Sequence, residues 1–336
     1  MPRPLVDVRA ANLRAAAALT AASPAFIPLA VLLGGTSGIG LHTAYSLNSA
    51  FKGRVHLIFS SRSAARGNEA ISALPYPPSA ENGGSAEFIS VDAFSMAGIR
   101  ELGKKIQQRA EEKSGGKVNY LVLSCGQLVM QGSDRTEEGI ERKLAGNFYS
   151  RFALAEILSP NLEAATKAGE PARVISVLAP GRGGPIDTND FGLAKEAQVS
   201  GRGMLHLARW LRQAEMAGVT YGDWMTEKMA QLYPSVSWFH TYPGIVKTGV
   251  LQQFPLIFRV LAKPLFWVAG ISAEESGENH AALLLDEQYK DGGAFFKGPH
   301  GEDIQKTQIK GLEGEVRQEK INELRQHLLS SAGLPA

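Results

Sequence analysis

The sequence predicts an α/β fold, a doubly wound three-layer domain in which helices cover both faces of a seven-stranded parallel sheet. Three observations predict this fold: seven short apolar runs, helical patterns between most of them, and a glycine-rich turn directly after the first run. Apolar strands that alternate with helices are typical of parallel sheets, because helices then bury both surfaces of each strand. In such sheets, ligands bind outside the carboxyl ends of the strands.

The predicted elements follow from the apolar periodicity along the chain. The predicted strands lie at 26–33, 55–60, 87–91, 118–124, 173–178, 236–241 and 293–296. The predicted helices lie at 99–112, 137–158, 223–232 and 273–285, and the charged segment 302–329 predicts a solvated helix. We therefore expect an N-terminal helical extension at 1–25, a sheet-containing domain at 26–301 and a helical tail at 302–336.

Composition limits the class of protein and its partners. The 336 residues are 44% hydrophobic and 20% charged, which is ordinary for a soluble globular protein. The net charge of +2, without a run of lysines or arginines, argues against a nucleic-acid partner. Cys125 is the single cysteine, which excludes an internal disulfide and a cysteine-based metal site. One cysteine suits a reducing compartment, and we expect a cytoplasmic protein without a metal.

Two segments outside the predicted strands bear on targeting and membrane contact. Residues 1–25 are rich in alanine and hold three arginines, which fits a helix across the domain or an organelle-targeting peptide. Residues 254–267 form the most apolar segment, but Arg259, Lys263 and two prolines interrupt it. No apolar run reaches the roughly 18 to 20 residues that span a bilayer. We expect 254–267 to cover a substrate or, alternatively, to touch a membrane surface.

The glycine-rich turn joins the first predicted strand to a helical pattern. It comprises Gly34, Gly35, Thr36, Ser37, Gly38, Ile39 and Gly40. Gly34 can make a tight turn, Gly38 leaves room for the backbone to approach a phosphate, and Gly40 lets the helix pack closely on the strand. The N-terminus of that helix faces the anion, because its unpaired N–H groups carry partial positive charge. The spacing therefore predicts a site for the pyrophosphate of a dinucleotide cofactor.

The end of the second predicted strand indicates which dinucleotide binds. Ser60, Ser61, Arg62 and Ser63 stand where a dinucleotide fold contacts the adenosine ribose, and none of them is acidic. An Asp or Glu would accept from the ribose 2′-hydroxyl, whereas Ser61 and Arg62 suit a 2′-phosphate through charge-assisted hydrogen bonds. We therefore expect NADP(H) rather than NAD(H), the alternative being that Arg62 is a solvated surface residue.

Further motifs follow the glycine turn in chain order. They are Asp92, the segment Ser124-Cys125-Gly126, Asn147, and Pro243 and Gly244 with Thr248. Together with the turn, they resemble the short-chain dehydrogenase/reductase superfamily from about residue 25 to about residue 301. The resemblance implies an NADP-binding Rossmann domain with Asp92 at the adenine, and with Pro243, Gly244 and Thr248 at the nicotinamide. It also implies that Ser124, Cys125, Gly126 and Asn147 border the cofactor, and that a homo-oligomer can form.

The catalytic residues of that family are missing from their expected positions. Members reduce carbonyls or oxidise alcohols with a serine, a tyrosine and a lysine, the last two lying four residues apart on one helix face. Here the serine position holds Ala179, and the tyrosine and lysine positions fall near Glu215 and Val219. Phe191 and Lys195 have the right spacing, but a phenylalanine cannot transfer a proton.

Tyr221 is the leading replacement for the missing acid, because it lies on or just before the helix that normally carries the tyrosine. The alternative is a packed or capping tyrosine. Five other candidates have simpler interpretations. Tyr149 is interpreted as a core aromatic, His206 as a helix-face histidine and Ser176 as a strand serine displaced from the catalytic position. Glu215 is interpreted as a solvated glutamate and Cys125 as a buried thiol. The catalytic candidates are therefore Tyr221 and Asn147, the latter through an ordered water.

These features predict an NADP(H)-dependent oxidoreductase that acts on a ketone or alcohol of a hydrophobic small molecule. Segment 184–191 and the glycine turn look most like a fungal branch of the superfamily found in secondary metabolism. Two alternatives stay open because the serine, tyrosine and lysine are absent. One is a non-redox isomerase, dehydratase or cyclase on the same scaffold, and the other is a nucleotide-binding pseudoenzyme.

Overall fold

The structure is a computed structural model that describes residues 3–126, 135–193, 204–247 and 270–335, with the backbone alone at 204–211. The described strands are β1 (Leu29–Leu33), β2 (His56–Ser61), β3 (Ser85–Ser90), β4 (Tyr120–Leu123), β5 (Arg173–Val177), β6 (Ser237–Thr241), β7 (Val246–Lys247), β8 (Ile271–Ser272) and β9 (Gly293–Lys297). The described helices are α1 (Leu5–Ala22), α2 (Gly38–Ala50), α3 (Ala64–Ser72), α4 (Met96–Ser114), α5 (Arg142–Leu144), α6 (Ser150–Lys167), α7 (Met204–Leu232), α8 (Ala273–Leu285) and α9 (Gly314–Ala332). A π-helical turn, Ala145–Tyr149, joins α5 to α6.

Seven of the described strands form one parallel sheet in the order β3-β2-β1-β4-β5-β6-β9. This arrangement confirms the predicted α/β fold with a seven-stranded parallel sheet. The strand order reverses between β1 and β4, because the chain first moves outward from β1 to β3 and then outward from β4 to β9. The helices after β1 and β4 therefore lie on opposite faces, and a crevice opens at the carboxyl ends of these two strands. Strands β7 and β8 form a separate parallel pair.

Two hydrophobic cores, one on each face of the sheet, hold the layers together. Leu29, Val31 and Leu33 of β1 face a core that includes α4, α6, α7 and α9. Ala30 and Leu32 face a second core that includes α1, α2 and α8. All five residues are fully buried. At about 25 cal/mol per Å² of buried apolar surface, burial on both faces is the main contribution that stabilises the sheet.

The helix predicted within 1–25 is present as α1, which packs across α2 and α8. Arg9 forms ion pairs with Glu274 and Glu278 of α8. The buried amide of Asn12 donates to the Glu278 carboxylate at 2.8 Å. These contacts attach α1 to the rest of the domain, whereas the boundaries at residues 25 and 301 stay predictions.

The charged C-terminal segment differs from its prediction. A solvated helix is expected at 302–329, but α9 begins at Gly314 and buries one side. Ile321, Leu324 and Leu328 pack into the core with α4, α6 and α7. Their spacing of three and four residues places them on one face of the helix, although the charged residues around them dominate the composition. The prediction of a solvated tail is therefore wrong for this inner face.

Helix α7 is much longer than the helix predicted at 223–232, because it begins at Met204. Gly218 and Gly222 lie inside it, and glycines weaken a helical pattern in the sequence. Tertiary packing explains one of them, since a Cβ at Gly222 would lie 2.9 Å from the ring of His240 on β6. The glycine lets α7 approach the sheet closely, at a cost in helix propensity that packing offsets.

Segment 254–267, for which the sequence predicts a substrate cover, lies outside the described residues. The same holds for Thr248 and Lys195, and for the side chain of His206. Among the described residues, no helix combines the length and the hydropathy needed to cross a membrane.

Candidate functional site

A cavity of about 790 Å³ lies at the carboxyl edge of the sheet, at the crevice between β1 and β4. The predicted site residues that line it are Gly34, Thr36, Ser37, Gly38, Ile39, Ser61, Arg62, Ser124, Cys125, Gly126, Asn147 and Pro243. A second cavity, of about 970 Å³ and beside α1, is larger but contains none of the predicted residues. Position at the carboxyl ends of the strands, rather than size, therefore identifies the candidate site.

Three glycines shape the turn between β1 and α2. Gly34 has a φ of +90°, and a Cβ there would lie 2.6 Å from the backbone nitrogen of Cys125. Gly38 has a φ of +55° and begins α2. Gly40 does not line the cavity; a Cβ there would lie 2.3 Å from Ser124 Oγ, so the glycine allows α2 to pack against the end of β4. The turn and the first N–H groups of α2 form a cradle that fits an anion.

One end of the cavity is cationic, where β2 passes into α3. The Thr36 hydroxyl donates to Ser61 Oγ at 2.9 Å. The exposed side chains of Arg62 and Arg66 line the cavity beside this pair. Two guanidinium groups at the start of a helix suit a phosphate, because each can donate charge-assisted hydrogen bonds. The sequence patterns did not identify Arg66; its position four residues after Arg62, at a helix start, was the available signal.

The cationic end also has an apolar wall. Val91, Ala93 and Phe94 line it, and the Arg62 guanidinium lies 5.6 Å from the centre of the Phe94 ring. Asp92, for which the resemblance implies an adenine contact, is exposed and is not among the lining residues. Its Oδ1 accepts from the N–H of Phe94 at 3.1 Å, so Asp92 shapes the turn that carries the wall. Its contact with an adenine stays a prediction.

The carboxyl end of β4 forms the wall beside the glycine turn. The N–H groups of Ser124 and Cys125 both donate to the Leu33 carbonyl, at 2.9 and 3.0 Å. A side chain at Gly126 would be too close to Asn147, because a Cβ would lie 2.8 Å from Asn147 Oδ1. Asn147 lies in the π-helical turn between α5 and α6, and such turns are frequent at functional sites.

Asn147 has two cationic neighbours on the continuous helical run formed by α5, the π-helical turn and α6. Lys143, Asn147 and Arg151 are spaced by four residues, and all three line the cavity. The sequence predicts the helix but did not identify the two cations; a polar residue at every fourth position was the available signal. With Arg62 and Arg66 at the other end, these side chains make the cavity attractive to an anionic ligand.

The Arg151 side chain is buried beneath the cavity. Its guanidinium donates to the carbonyl of Cys125, to the carbonyl of Val177 at 2.7 Å and to Ser176 Oγ at 3.1 Å. Burial lowers the pKa of Arg151. The group nevertheless stays charged, because a guanidinium is not deprotonated in proteins. Arg151 therefore joins the carboxyl ends of β4 and β5 and holds the cavity wall in one shape.

Lys143 and Glu215 form an ion pair in the cavity. Lys143 Nζ lies 3.3 Å from Glu215 Oε2, and the exposed fractions of the two side chains are 4% and 57%. Glu215 comes from α7, where the family resemblance places a tyrosine. Lys143 comes from α5 instead, so the resemblance does not predict it. Near the position that the resemblance predicts for the tyrosine, the cavity therefore has a carboxylate that is paired with a buried ammonium from another helix.

The far end of the cavity is apolar. Val177 and Leu178 at the end of β5 and Pro243 after β6 line it. Gly244, which is not among the lining residues, has a φ of +74° and makes the turn that follows Pro243. An apolar wall at the carboxyl ends of two strands suits a planar ring and the apolar part of a substrate.

Tyr221 is not among the residues that line the cavity. Its side chain is 0% exposed, and its ring packs edge-on against Phe148 and Phe191. The hydroxyl has no hydrogen-bond partner among the described residues. Burial raises the pKa of Tyr221, because the charged phenolate loses its hydration. This placement agrees with the packed tyrosine that the sequence also allows, and the catalytic role of Tyr221 stays an untested prediction.

Two further candidate acids have structural partners. The buried Tyr149 hydroxyl donates to the Phe191 carbonyl at 3.2 Å, which agrees with a core aromatic. The Cys125 thiol lies 3.4 Å from the Gly146 carbonyl, within reach of a weak hydrogen bond. Cys125 lines the cavity, whereas Tyr149 is not among the lining residues.

The parts of the cavity follow one another in an order that fits NADP(H). The cationic end at Arg62 and Arg66 suits an adenosine 2′-phosphate, and the glycine cradle suits the pyrophosphate. The apolar end near Val177 and Pro243 suits the nicotinamide. Gly34 is the most constrained position of the turn, because a Cβ there would clash with the backbone of Ser124 and Cys125 at the end of β4.

Comparison with known proteins agrees with the doubly wound fold and with the family resemblance. The family model for short chain dehydrogenases matches residues 28–185. The oxidoreductase andH of Emericella variicolor is 29% identical over 266 residues, which cover 78% of this chain and 70% of that protein. The oxidoreductase AN1596 of Emericella nidulans is 28% identical over 292 residues, covering 85% of this chain and 80% of that protein. The alcohol dehydrogenase of Thermococcus sibiricus, complexed with 5-hydroxy-NADP, has the same fold; it superposes with a TM-score of 0.53 at 17% identity and covers 81% of this chain and 95% of that chain.

Proposed function

Because this chain belongs to the short-chain dehydrogenase/reductase superfamily and resembles its fungal secondary-metabolism branch, we propose that it is an NADP(H)-dependent oxidoreductase. The substrate is a hydrophobic small molecule in secondary-metabolite biosynthesis, with a ketone or alcohol as the reacting group. The family binds a nicotinamide cofactor. For this chain we propose, in addition, a preference for NADP(H), the class of substrate and the biological role.

The observation that carries the proposal is that one continuous cavity runs from Arg62 and Arg66, past the glycine turn, to Pro243. A dinucleotide has its charges at the same places, with a 2′-phosphate at one end and a pyrophosphate in the middle. Of the residues that the structure describes, two arginines and no carboxylate line the ribose end, which favours the phosphorylated form.

The chain's own residues bind and orient the cofactor and the substrate. Arg62 and Arg66 would hold the 2′-phosphate, and the N–H groups at Gly38 would hold the pyrophosphate. Bound NADPH would supply a hydride. Arg151 keeps the walls at Cys125 and Val177 in place, so that the reacting groups stay oriented.

The apolar end supports a hydrophobic substrate. Val177, Leu178 and Pro243 offer no side-chain hydrogen bond, so a polar substrate would lose its hydration there without compensation. These features select a class of substrate rather than one compound.

Titration of the purified protein with NADPH and with NADH, followed by cofactor fluorescence, tests the proposed preference. We expect NADPH to bind at least about tenfold more tightly, the equivalent of about 1.4 kcal/mol. Consumption of NADPH with α-tetralone and methyl nonyl ketone tests the reaction. Binding without consumption of either ketone would favour a nucleotide-binding pseudoenzyme. Product formation without a change in the cofactor's oxidation state would favour a non-redox enzyme.

A further inference from the structure

The reduction of a ketone needs a proton donor, and the described residues at the inner end of the cavity limit the choice. Asn147 carries no acidic proton, and Arg151 is bound to carbonyl groups and keeps its charge. The Cys125 thiol is directed at the Gly146 carbonyl. Lys143 is left as a cavity-lining group with N–H protons that it can transfer to a developing alkoxide, becoming a neutral amine.

The position of Lys143 suits this task. It lies one turn before Asn147. Its Nζ contacts Glu215, so the side chain extends from α5 towards α7. The apolar walls at Leu178 and Pro243 belong to the same cavity. The ammonium is therefore buried beside the place where the cofactor's ring and the substrate's reacting group would meet.

The partner of Lys143 reaches solvent. Glu215 is 57% exposed, whereas Lys143 is 4% exposed. A buried ammonium beside an exposed carboxylate has a path along which it can recover a proton from water. Both partners line the cavity, so the pair connects the buried ammonium with the solvent-exposed carboxylate within the ligand site itself.

The geometry points to Lys143 as the catalytic proton donor and to Glu215 as its positioning residue, an inference that rests on the proposed function. In the direction of reduction, the carbonyl carbon gains a hydride, which carries two electrons from NADPH. The carbonyl oxygen forms an O–H bond as one N–H bond of Lys143 breaks. The neutral amine then regains a proton from solvent along the Glu215 carboxylate. In alcohol oxidation, each transfer runs in reverse.

The test uses the variants Lys143→Met and Lys143→Arg, with Lys105→Met on the exposed side of α4 as the control. Two quantities are measured for each: the NADPH dissociation constant by fluorescence, and kcat with α-tetralone. We expect both Lys143 variants to lose about 10²- to 10⁴-fold in kcat, since arginine keeps the charge but does not give up a proton. NADPH affinity should change by no more than about threefold, because a proton donor is not the cofactor's anchor. The control should match the wild type in both measurements.

Two further variants separate donation from structure. Lys143→Ala should regain part of its kcat when ethylamine is added, because a small amine can enter the space and replace the lost donor. Glu215→Gln should lower kcat by about tenfold and leave NADPH affinity unchanged, as expected for a residue that only positions the donor. An absence of amine rescue in a folded Lys143→Ala protein would contradict proton donation.

The remaining outcomes distinguish failure of this inference from failure of the proposed function. A large loss of NADPH affinity with unchanged kcat would make Lys143 a cofactor anchor and would overturn the inference. Wild-type kcat in Lys143→Met would also overturn it, while the proposed function would stand. Failure of the wild-type protein to oxidise NADPH with any ketone would instead overturn the proposed function, and this inference with it.

Discussion

The two ends of the cavity differ in how much of the family pattern they keep. At the dinucleotide end, Gly34, Gly38, Ser61 and Arg62 line the cavity, as the sequence predicts. At the other end, where the sequence lacks the expected serine and tyrosine, the ion pair between Lys143 and Glu215 lines the cavity. The difference teaches that a tight backbone turn demands glycine at fixed positions, because a Cβ would be strained at positive φ or would clash with neighbouring backbone. A proton donor needs only an acidic group within reach, and any neighbouring helix can supply one.

Gly38→Val should have the largest effect, at the dinucleotide end. A β-branched side chain is strained at a φ of +55° and would enter the cradle. We expect the dissociation constants of both NADPH and NADH to rise by roughly 100-fold or more, which titration calorimetry can measure. Gly192→Ala is the control, because a Cβ there meets only His327, at 3.6 Å. Unchanged affinity in a folded Gly38→Val protein would remove the basis for the cradle.

Arg151→Met should weaken the wall that joins the two ends. The carbonyls of Cys125 and Val177 would lose their buried donor, so we expect the free energy of unfolding to fall by about 2–4 kcal/mol. Urea unfolding measures this change, with Arg14→Met on the exposed side of α1 as the control. A loss no larger than that of the control would show that the Arg151 contacts do not hold the wall.

Arg62→Ala and Arg66→Ala should separate the two cofactors. Hydrogen bonds to a charged group contribute about 1.5–3 kcal/mol, so each variant should bind NADPH about 10- to 100-fold more weakly. NADH lacks the 2′-phosphate, and its affinity should stay within about twofold. Fluorescence titration with both cofactors measures the ratio. An equal loss for NADPH and NADH would refute the assignment of a 2′-phosphate site.

Tyr221→Phe should have the smallest effect and directly tests the reacting end. The hydroxyl has no described partner, so its removal should leave kcat within about twofold and should not lower stability. Steady-state kinetics and thermal unfolding measure the two quantities. A fall in kcat of about 100-fold would instead make Tyr221 the acid and would argue against Lys143.

Local patterns explain which parts of the fold were predictable. The helix at 273–285 has the predicted bounds, because Ser272 caps it and two glutamates follow in its first turn. The N-terminal part of helix α7, residues 204–222, and the inner face of α9 were not predicted, because long-range packing decides both. Gly222 inside α7 leaves room for the ring of His240 on β6. Leu324 of α9 packs into the hydrophobic core.

The candidate site divides in the same way. Gly34, Gly38 and Arg62 were found from spacing, because their roles depend on the conformation of one strand–turn–helix unit or on the end of one strand. Arg66 and Arg151 were not predicted as site residues. Each lines the cavity only because strands and helices from separate parts of the chain meet there. Tyr221 was chosen by its position in the sequence, but burial among aromatic rings leaves it outside the cavity lining.

The sequence by itself determined the wound parallel sheet and the glycine cradle, because apolar periodicity and the lack of a Cβ act over a few neighbouring residues. Only the tertiary structure decided what stands at the reacting end. Lys143 and Glu215 are separated by 72 positions in the chain, and their pairing depends on how α5 packs against α7. No local pattern encodes that contact, because the packing of the whole domain sets the distance between the two helices.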